Sequence, residues 1–550
     1  MGTSTDSNEK RNASLEKDAS VDEKHQGVKV SVNAVDTAAG LVYGEHGELD
    51  PAEALRVRRK IDHHILPLMC VLYWMQFMDK TTLGSSAILG ITQSTHITTN
   101  QYNWLGTIFY LSYLVFEFPQ NLALQRFPVA KWMSINIFVW SVALCSHAAC
   151  KSFGGLFVVR LILGMCEGSI TAGFMIVSSM FYTRTEQTLR VGYWCAPYEW
   201  HGYALQLSCY LTIIHAHAYW RVPAQIVLGF ISFGALHIKT PHFEPWQWLM
   251  IITGILTFLT SLSFWFFFPD SPTNAWFLTP EERAIAVMRI KANQTGVENK
   301  HFKKEQMIEA LTDPKTWLFA LFSALDNVPN SLTNQRQIIV SSFGFTTLQT
   351  TLLTCVDGVI EIVTIWTGVN ISARLDSRAW VAFFYFIPNV LGTILVNVLP
   401  WSNKIGLLFS VWTAEVGTTG FVLSLSWVSA VTAGHTKRVT TNAIMLGAYC
   451  IGNAAGPFMW QARYKPRNHV PWTVIGVCYA CCMFLVLVIR YLLIRENKRR
   501  DAEPAGEDGY DEVYVERLAT DGSGKMERVR IDKEFLDLTD RQNRDFRYVY

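Results

Sequence analysis

The 550-residue chain has few charged residues for its length. Asp, Glu, Lys and Arg make up only 17% of it, compared with roughly 25% in ordinary soluble domains. Half of the residues are hydrophobic, although both ends of the chain are strongly polar. The middle must therefore be far more apolar than the average, and this composition predicts a polytopic membrane protein instead of a soluble one.

Several chemical signatures are also missing from the sequence. The 11 cysteines show no zinc or haem spacing, so we expect neither a metal site nor a disulfide framework. We find no Ser/His/Asp set, no HExxH motif and no phosphate-binding loop, so we expect no catalytic residues and no cofactor. No signal peptide is apparent near the first residue. A formal net charge of +2 gives no reason to expect nucleic acid as a partner.

Long apolar segments are what the sequence does contain. Each is long enough to cross about 30 Å of hydrocarbon as a helix. The twelve predicted spans lie near 64–90, 103–125, 130–150, 155–181, 190–238, 245–268, 316–340, 347–371, 380–399, 404–427, 438–460 and 471–494. The sequence therefore predicts an all-α membrane protein with twelve transmembrane helices in two six-helix bundles.

Polar stretches divide the chain into five parts. We predict an N-terminal tail at 1–60, a first bundle at 61–268, a linker at 269–315, a second bundle at 316–494 and a C-terminal tail at 495–550. Both tails are predicted to be disordered. Basic residues concentrate in the loops on the side of the tails and the linker, which places both termini in the cytosol. Within the linker, Thr279, Pro280 and Glu282 indicate the start of an amphipathic helix.

One segment does not resemble a membrane span. Residues 196–223 read APYEWHGYALQLSCYLTIIHAHAYWRVP and interrupt the fifth predicted span. His201, His215 and His217 raise the idea of a metal site, but positions 215 and 217 lie on different faces of a helix. Translated non-coding sequence, a genuine insertion and a metal site all remain open interpretations, and we prefer the first.

Ionisable residues recur inside the predicted spans. Such residues are costly in lipid and often mark function. They are Asp79, Lys80, Glu117, Arg160, Glu167, Asp326, Arg336, Asp357, Glu361 and Glu415. Because both signs occur on several spans, they predict a polar cavity inside the bundle instead of a surface that faces lipid.

Two of these charges lie on the same face of span 4. The stretch FVVRLILGMCEGSITAGFM places Arg160, Gly164 and Glu167 at helical spacing. Gly164 leaves room for a partner backbone or a small ligand. Burial favours the neutral acid and Arg160 favours the carboxylate, so Glu167 is predicted to exchange a proton. The alternative is a fixed ion pair that only joins helices.

Amide side chains are further candidates for ligand contacts. Asn330 and Asn334 make span 7 polar, and Asn453 lies in the run GNAAGP at 452–457 of span 11. Small residues followed by proline favour a break that exposes backbone groups. Close packing of helices at the glycines is the other explanation, and the two are compatible.

Several motifs resemble one family of transporters. MQFMDKTTLGSSAILGI in span 1 and RLILGMCEG in span 4 are similar to the anion:cation symporter branch of the major facilitator superfamily. NSLTNQRQIIVSSFGF and TKRVTTNAIMLGAYCIGNAAGPFMW resemble the fungal allantoate permease-like transporters. The resemblance covers roughly residues 55–500, apart from 196–223. The loop after span 2 departs from the superfamily pattern, because Gln125 and Arg126 replace its Gly-rich motif.

The resemblance implies roles for particular residues. Asp79 and Glu167 match the protonation sites, and Arg160 matches the arginine that pairs with the glutamate. Lys80 matches a basic residue that helps to bind the substrate carboxylate; many relatives have Arg there, which binds a planar carboxylate with two hydrogen bonds. Tyr113 matches a tyrosine that lines the pocket. Gln225 is a candidate for the polar pocket residue of span 5.

These features predict a proton-coupled symporter that imports a small organic anion by alternating access, with allantoate or a related ureido acid as the first guess. The proton is the only coupling ion expected, and the lipid bilayer and the anion are the expected partners of a monomer in the plasma membrane. A nutrient sensor on the same scaffold is one alternative. A product inactivated by the disruption of span 5 is another.

Overall fold

The computed structural model describes most of the predicted membrane region. The described residues are 50–183, 186, 226–238, 240–291, 303–375, 377–502, 513–518, 526–531, 538–544 and 546–550. The anomalous segment 196–223, Gln225 and the tail before residue 50 lie outside them. The predictions for these parts of the chain therefore remain predictions.

Helices make up the first half of the described chain. They are α1 (Pro51–Ile88), α2 (Thr99–Arg126), α3 (Val129–His147), α4 (Phe153–Phe181), α5 (Ile226–His237), α6 (Pro245–Phe267) and α7 (Pro280–Lys291), with a short turn at Ile91–Ser94. Asp50 caps α1 through a hydrogen bond from the Ala52 amide, so the first helix begins well before the predicted start of span 1 at residue 64.

The second half continues in the same way. It contains α8 (Lys304–Thr312), α9 (Pro314–Asn327), α10 (Leu332–Ser342), α11 (Thr347–Leu375), α12 (Arg378–Val398), α13 (Lys404–Thr413), α14 (Thr418–Ala430), α15 (His435–Ala455) and α16 (His469–Ala502). The antiparallel strands β1 (Val513–Leu518) and β2 (Met526–Ile531) follow in the tail. Seven of the described helical segments are long and apolar enough to cross a membrane when α13 and α14 are taken together as Lys404–Ala430, and the helix positions are consistent with twelve spans.

Two predicted spans are interrupted helices. Span 7 is divided into α9 and α10 by a 3₁₀ turn at Pro329–Ser331, and span 10 is divided into α13 and α14. The prediction placed one span at 316–340 without locating this interruption, which coincides with Pro329, a residue that lacks the N–H required at an internal helical position. In span 11, α15 is continuous to Ala455, and the 3₁₀ turn at Gly456–Met459 lies at the end of the predicted span and not in its middle.

Buried apolar residues form two separate clusters. One contains Trp140 and Phe174 and extends over residues 57–286. The other contains Phe386 and Trp427 and extends over residues 319–548. Each half of the molecule therefore packs around its own core, and the lipid-facing sides remain apolar, as shown by exposed residues such as Phe266.

The linker helix forms as its sequence predicts. The Glu282 amide donates to the Thr279 hydroxyl at 3.2 Å, and the Thr279 amide donates to the Glu282 carboxylate at 3.0 Å. Lys60 of α1 forms an ion pair with Glu282 at 2.6 Å, and Ile290 on the inner face of α7 is buried. The linker is thus fixed to the first half, and the end of the bundle next to it is called the linker end below.

Part of the C-terminal tail is ordered and docks at the linker end of the second half. Asp540 accepts hydrogen bonds from Lys315 at 2.6 Å and from Tyr548 at 2.7 Å, and it forms an ion pair with Lys437 at 2.8 Å. Arg500 of α16 donates to the Tyr548 hydroxyl at 2.9 Å. The prediction of a disordered tail therefore does not describe these residues, because long-range ion pairs hold them in place.

The two halves contact each other at the end opposite the linker, called the far end here. Tyr102 of α2 donates to the main-chain oxygen of Asn334 at 3.0 Å. Gln335 donates to Asn103 at 3.0 Å, and Gln337 donates to Ser85 at 3.0 Å. These hydrogen bonds join α1 and α2 to α10, so they close the far end in this structure.

Candidate functional site

Four charged side chains from α1 and α4 meet in the middle of the first half. The Lys80 ammonium of α1 lies 3.7 Å from the Glu167 carboxylate of α4. Glu167 has no solvent exposure, and neither of its oxygens has a hydrogen-bond partner among the described residues. A buried carboxylate of this kind depends on its nearby cations.

Asp79 lies next to this pair on the buried side of α1. It is fully buried, and one of its oxygens accepts a hydrogen bond from the Thr257 hydroxyl of α6 at 3.4 Å. The other oxygen has no partner among the described residues. Asp79 is therefore held in place by α6 while part of its carboxylate stays available for a proton.

Arg160 is the second cation of the group. Its side chain is buried, with 3% of the residue exposed, and its Nε and Nη2 atoms have no hydrogen-bond partner among the described residues. Buried guanidinium N–H groups are normally paired, because leaving them unpaired costs free energy. The arrangement is therefore suited to an anion that supplies the missing acceptors.

Glycine at position 164 determines how closely α4 approaches α2. A Cβ atom built there would clash with the Phe109 main-chain oxygen and the Ser112 hydroxyl. The gap predicted between Arg160 and Glu167 is thus occupied by the backbone of α2. This close packing brings α2 next to the charged face of α4.

A small cavity adjoins these charges. Its lining combines two cations with aromatic, aliphatic and amide groups. The lining residues are Lys80, Leu83, Leu105, Gly106, Phe109, Tyr110, Arg160 and Asn334. Because Asn334 belongs to α10, the cavity lies between the two halves.

The observed ion pairing differs from the one that the resemblance implied. Arg160 was expected to pair with Glu167, whereas the ion pair in the structure joins Glu167 to Lys80. Residues 160 and 167 are about two turns apart on one helix, which is roughly 10 Å along its axis. Lys80 approaches from a neighbouring helix and can therefore lie closer to the carboxylate.

The other predicted site residues have different environments. Asn334 lines the cavity, and its side-chain oxygen has no partner among the described residues. Asn330 donates to Asn453 at 2.6 Å, so these two amides join span 7 to span 11. Tyr113 is buried on α2 but does not line the cavity, and Gln225 lies outside the described residues.

Sequence reasoning missed two aromatic residues that line the cavity. Phe109 and Tyr110 come from α2, and Tyr110 packs edge-on against Tyr449 of α15 at 6.0 Å between ring centroids. The sequence did contain one signal for Tyr110. It lies three residues before Tyr113, so the two tyrosines are neighbours on one face of the helix. Without a known partner helix, that spacing did not identify which tyrosine faces the cavity.

The fold and the site together define a class of protein. Two helical halves meet around a charged cavity, and one end of the interface is closed; secondary transporters have this architecture. The chain belongs to the Major Facilitator Superfamily, whose family model matches residues 69–457. It is accordingly a multi-pass membrane transporter of this superfamily.

Curated relatives from fungi cover nearly the whole chain. The thiamine pathway transporter of Saccharomyces cerevisiae is 35% identical over 92% of this chain and 88% of its own length. The allantoate permease of the same yeast is 30% identical over 91% of this chain and 88% of its own length. The resemblance to fungal allantoate permease-like transporters is thereby confirmed.

Solved structures share the fold at low sequence identity. A bacterial homolog of the human lysosomal transporter Spinster, inward-facing and occupied, aligns with a TM-score of 0.55 at 13% identity and covers 80% of this chain and 98% of its own. A D-xylose-proton symporter aligns with a TM-score of 0.55 at 11% identity, covering 76% and 96%. These likenesses support the major facilitator fold.

Proposed function

We propose that the protein is a proton-coupled symporter that imports a small organic anion. The observation that carries this proposal is the ion pair between Lys80 and Glu167, which lies beside Arg160 at the edge of one cavity. Two cations and two carboxylates, including Asp79, share this small volume. Proton binding and anion binding can therefore compete for the same positive charges.

Protonation of Glu167 is the first step of the proposed cycle. A neutral Glu167 no longer needs a counter-ion, so Lys80 is released from the ion pair. Asp79 is the second proton acceptor, and the hydroxyl of Thr257 holds its carboxylate in place. A proton on either acid leaves an excess of positive charge in the site.

The anion then balances that excess of positive charge. Arg160 offers two unpaired N–H positions, a geometry that suits a planar carboxylate. Lys80 supplies a point charge once Glu167 is neutral, and the free amide oxygen of Asn334 offers an acceptor to a ureido N–H. Loss of the anion and of the protons restores the original ion pair.

Alternation between two open ends follows from the interface between the halves. The far end is closed here by hydrogen bonds such as those from Tyr102 to Asn334 and from Gln337 to Ser85. Rocking of one half against the other would break these bonds and expose the cavity to the opposite side. The neutral, loaded site favours this movement, because fewer unbalanced charges then cross the low-dielectric interior.

The names of the relatives support a small, polar organic substrate. Allantoate is the first candidate because the yeast allantoate permease is similar over most of the chain. A transporter of the thiamine pathway and a high affinity cysteine transporter are also similar, at 35% and 28% identity. We place the protein in the plasma membrane as a monomer, with both termini in the cytosol and no cofactor.

Uptake of a panel of labelled carboxylates by cells at two external pH values tests the proposal. The expected result is uphill accumulation of at least one ureido or carboxylic acid, larger at the lower pH and abolished by a protonophore. Deletion of 196–223 in a parallel strain shows whether that segment limits activity. Binding of a carboxylate without accumulation would contradict the proposal and favour a sensor.

A further inference from the structure

A second cluster of buried charges lies in the other half of the molecule. The Arg336 Nη1 atom of α10 is 2.8 Å from the Asp357 carboxylate of α11 and 2.6 Å from the Glu415 carboxylate. Glu415 lies in the interruption between α13 and α14. The indole N–H of Trp412 also donates to Asp357 at 2.6 Å. One guanidinium nitrogen is therefore shared by two carboxylates from different spans.

The formal charges of this cluster do not balance. Arg336 contributes one positive charge, whereas Asp357 and Glu415 contribute two negative charges when both are ionised. Arg336 and Asp357 are each less than one-tenth exposed, and the Glu415 side chain is one-fifth exposed. An unbalanced charge inside a membrane protein is costly, and one proton on the pair of acids removes it.

The groups that face the cluster do not supply the missing positive charge. Glu361 of α11 is a further acid near Arg336 and Glu415, while Cys355 of α11 and Tyr479 of α16 are ordinarily neutral. Trp412 only donates a hydrogen bond. Among the described residues around the pair, Arg336 is thus the cation that balances it.

One turn of α10 connects this cluster to the transport cavity and to the closed end. Asn334 lines the cavity, and Gln335 and Gln337 form the hydrogen bonds that hold the far end shut. Arg336 lies between them in the chain and holds the two acids. A change of charge at the acids therefore acts on the same turn that contacts the cavity and the other half.

We propose that Asp357 and Glu415 bind one shared proton on Arg336 and act as a second coupling site, separate from Glu167. This inference rests on the proposed symport function and deepens it. With the proton bound, Arg336, Asp357 and Glu415 together carry no net charge and hold α10 in place. When the proton leaves, both carboxylates compete for Arg336, and the turn of α10 that closes the far end is pulled away from α1 and α2.

Infrared spectroscopy of the reconstituted protein near pH 7 tests the proton directly, without any substrate. Exposed carboxyls are ionised at this pH, so the carboxylic-acid C=O stretch reports buried protons. Asp357→Asn and Glu415→Gln are each expected to remove the intensity of one acid group. The double variant should lose no more than either single variant, because the two acids share a single proton and removing either acid already removes it.

Two other results would overturn the shared proton. Unchanged intensity in both single variants means that both acids are permanently ionised and form fixed ion pairs with Arg336. Loss in only one variant means that the proton belongs to one acid alone. Glu415→Asp should retain the band and serves as the conservative variant for folding, and the exposed Glu281→Gln is the matched control with no expected change.

The coupling role is tested separately with the carboxylate that the uptake panel identifies. The quantity measured is its inside-to-outside concentration ratio once net uptake has stopped. Losing one coupled proton lowers the accumulation ratio about tenfold for a pH difference of about one unit. Glu415→Gln should show this loss and still accumulate some substrate. Full accumulation in this variant would contradict the coupling role, whereas failure of wild-type accumulation would instead contradict the symport function itself.

Discussion

At the scale of single residues, Lys80 connects proton binding to substrate binding. It forms an ion pair with Glu167 and also lines the cavity with Arg160. The sequence identified the four charged residues of this site, because ionisable residues inside apolar spans are rare and conspicuous. It did not identify the pairing, since that depends on how closely α1 approaches α4 in three dimensions.

Replacement of Arg160 by lysine should weaken substrate binding strongly. The lysine retains the charge but loses the planar set of donors, including the unpaired Nε and Nη2 atoms. Hydrogen bonds to charged groups contribute about 1.5–3 kcal/mol each, so we expect the half-saturation concentration for uptake to rise at least about tenfold. The exposed Arg126→Lys is the control and should be unchanged. Equal half-saturation concentrations in both variants would contradict the role of Arg160.

Alanine at Gly164 should disturb the packing of α2 on α4. The added Cβ would clash with the Phe109 main-chain oxygen, which a side-chain rotation cannot relieve. Overpacking of this kind costs about 1–3 kcal/mol, so the thermal unfolding temperature of the purified protein should fall. Gly154→Ala on the same helix has open space around its Cβ and should leave the unfolding temperature unchanged. Equal unfolding temperatures for Gly164→Ala and Gly154→Ala would show that the close contact between α4 and α2 does not contribute to stability.

At the scale of elements, the positions of helices could be predicted far better than the interruptions of helices or the docking of the C-terminal tail. Apolar length determines where a span lies, and the Thr279–Glu282 capping box determines where α7 begins. The division of span 7 was missed, although Pro329 was visible in the sequence. The docked tail was not predictable, because Asp540 binds Lys315 and Lys437 far from it in the chain.

The docked tail should depend on the charge of Asp540. Burial opposes ionisation of this carboxyl, but Lys315 and Lys437 outweigh it and hold the pKa of Asp540 well below its usual range. Because the pKa of Asp540 is lowered in the docked state, docking is fully stabilised at pH values above the pKa of an Asp carboxyl in the undocked tail, about 3.9. This stabilisation is lost as the pH falls towards the lower pKa of the docked state.

A fluorescent label on a Tyr550→Cys variant can report this docking. Its anisotropy should be high at neutral pH, decrease in strongly acidic solution, and be low already at neutral pH when Asp540→Asn is added. Asp501→Asn is the matched control, because its ion pair with Arg547 is largely exposed and contributes little. Equal anisotropy with and without Asp540→Asn at neutral pH would show that the ion pairs do not hold the tail.

At the scale of the whole molecule, the state of the far end determines which side of the cavity is open. Lys465 donates to Thr99 at 3.3 Å across the interface between the halves, at an accessible position. Cross-linking of a Thr99→Cys/Lys465→Cys variant with a short thiol-reactive reagent should therefore block uptake, with recovery when a cleavable linker is reduced. Thr99→Cys alone is the control. Undiminished uptake after complete cross-linking would contradict alternating access through this end.

The architecture of the whole molecule followed from the sequence because two six-helix groups separated by a polar linker are visible in composition alone. The two separate hydrophobic cores of the structure agree with that division. Which end is closed was not predictable. That property depends on single hydrogen bonds between halves, such as the one from Gln335 to Asn103, which leave no periodic signal.

The central claim is that a proton on Glu167 competes with the carboxylate of the substrate for Lys80 and Arg160. Comparison of exchange and pH-driven accumulation in the Glu167→Gln variant tests it most directly. We predict that labelled substrate still exchanges across vesicle membranes at equal pH, while a pH gradient no longer drives accumulation. Uphill accumulation by Glu167→Gln equal to that of the unmodified protein would contradict the claim.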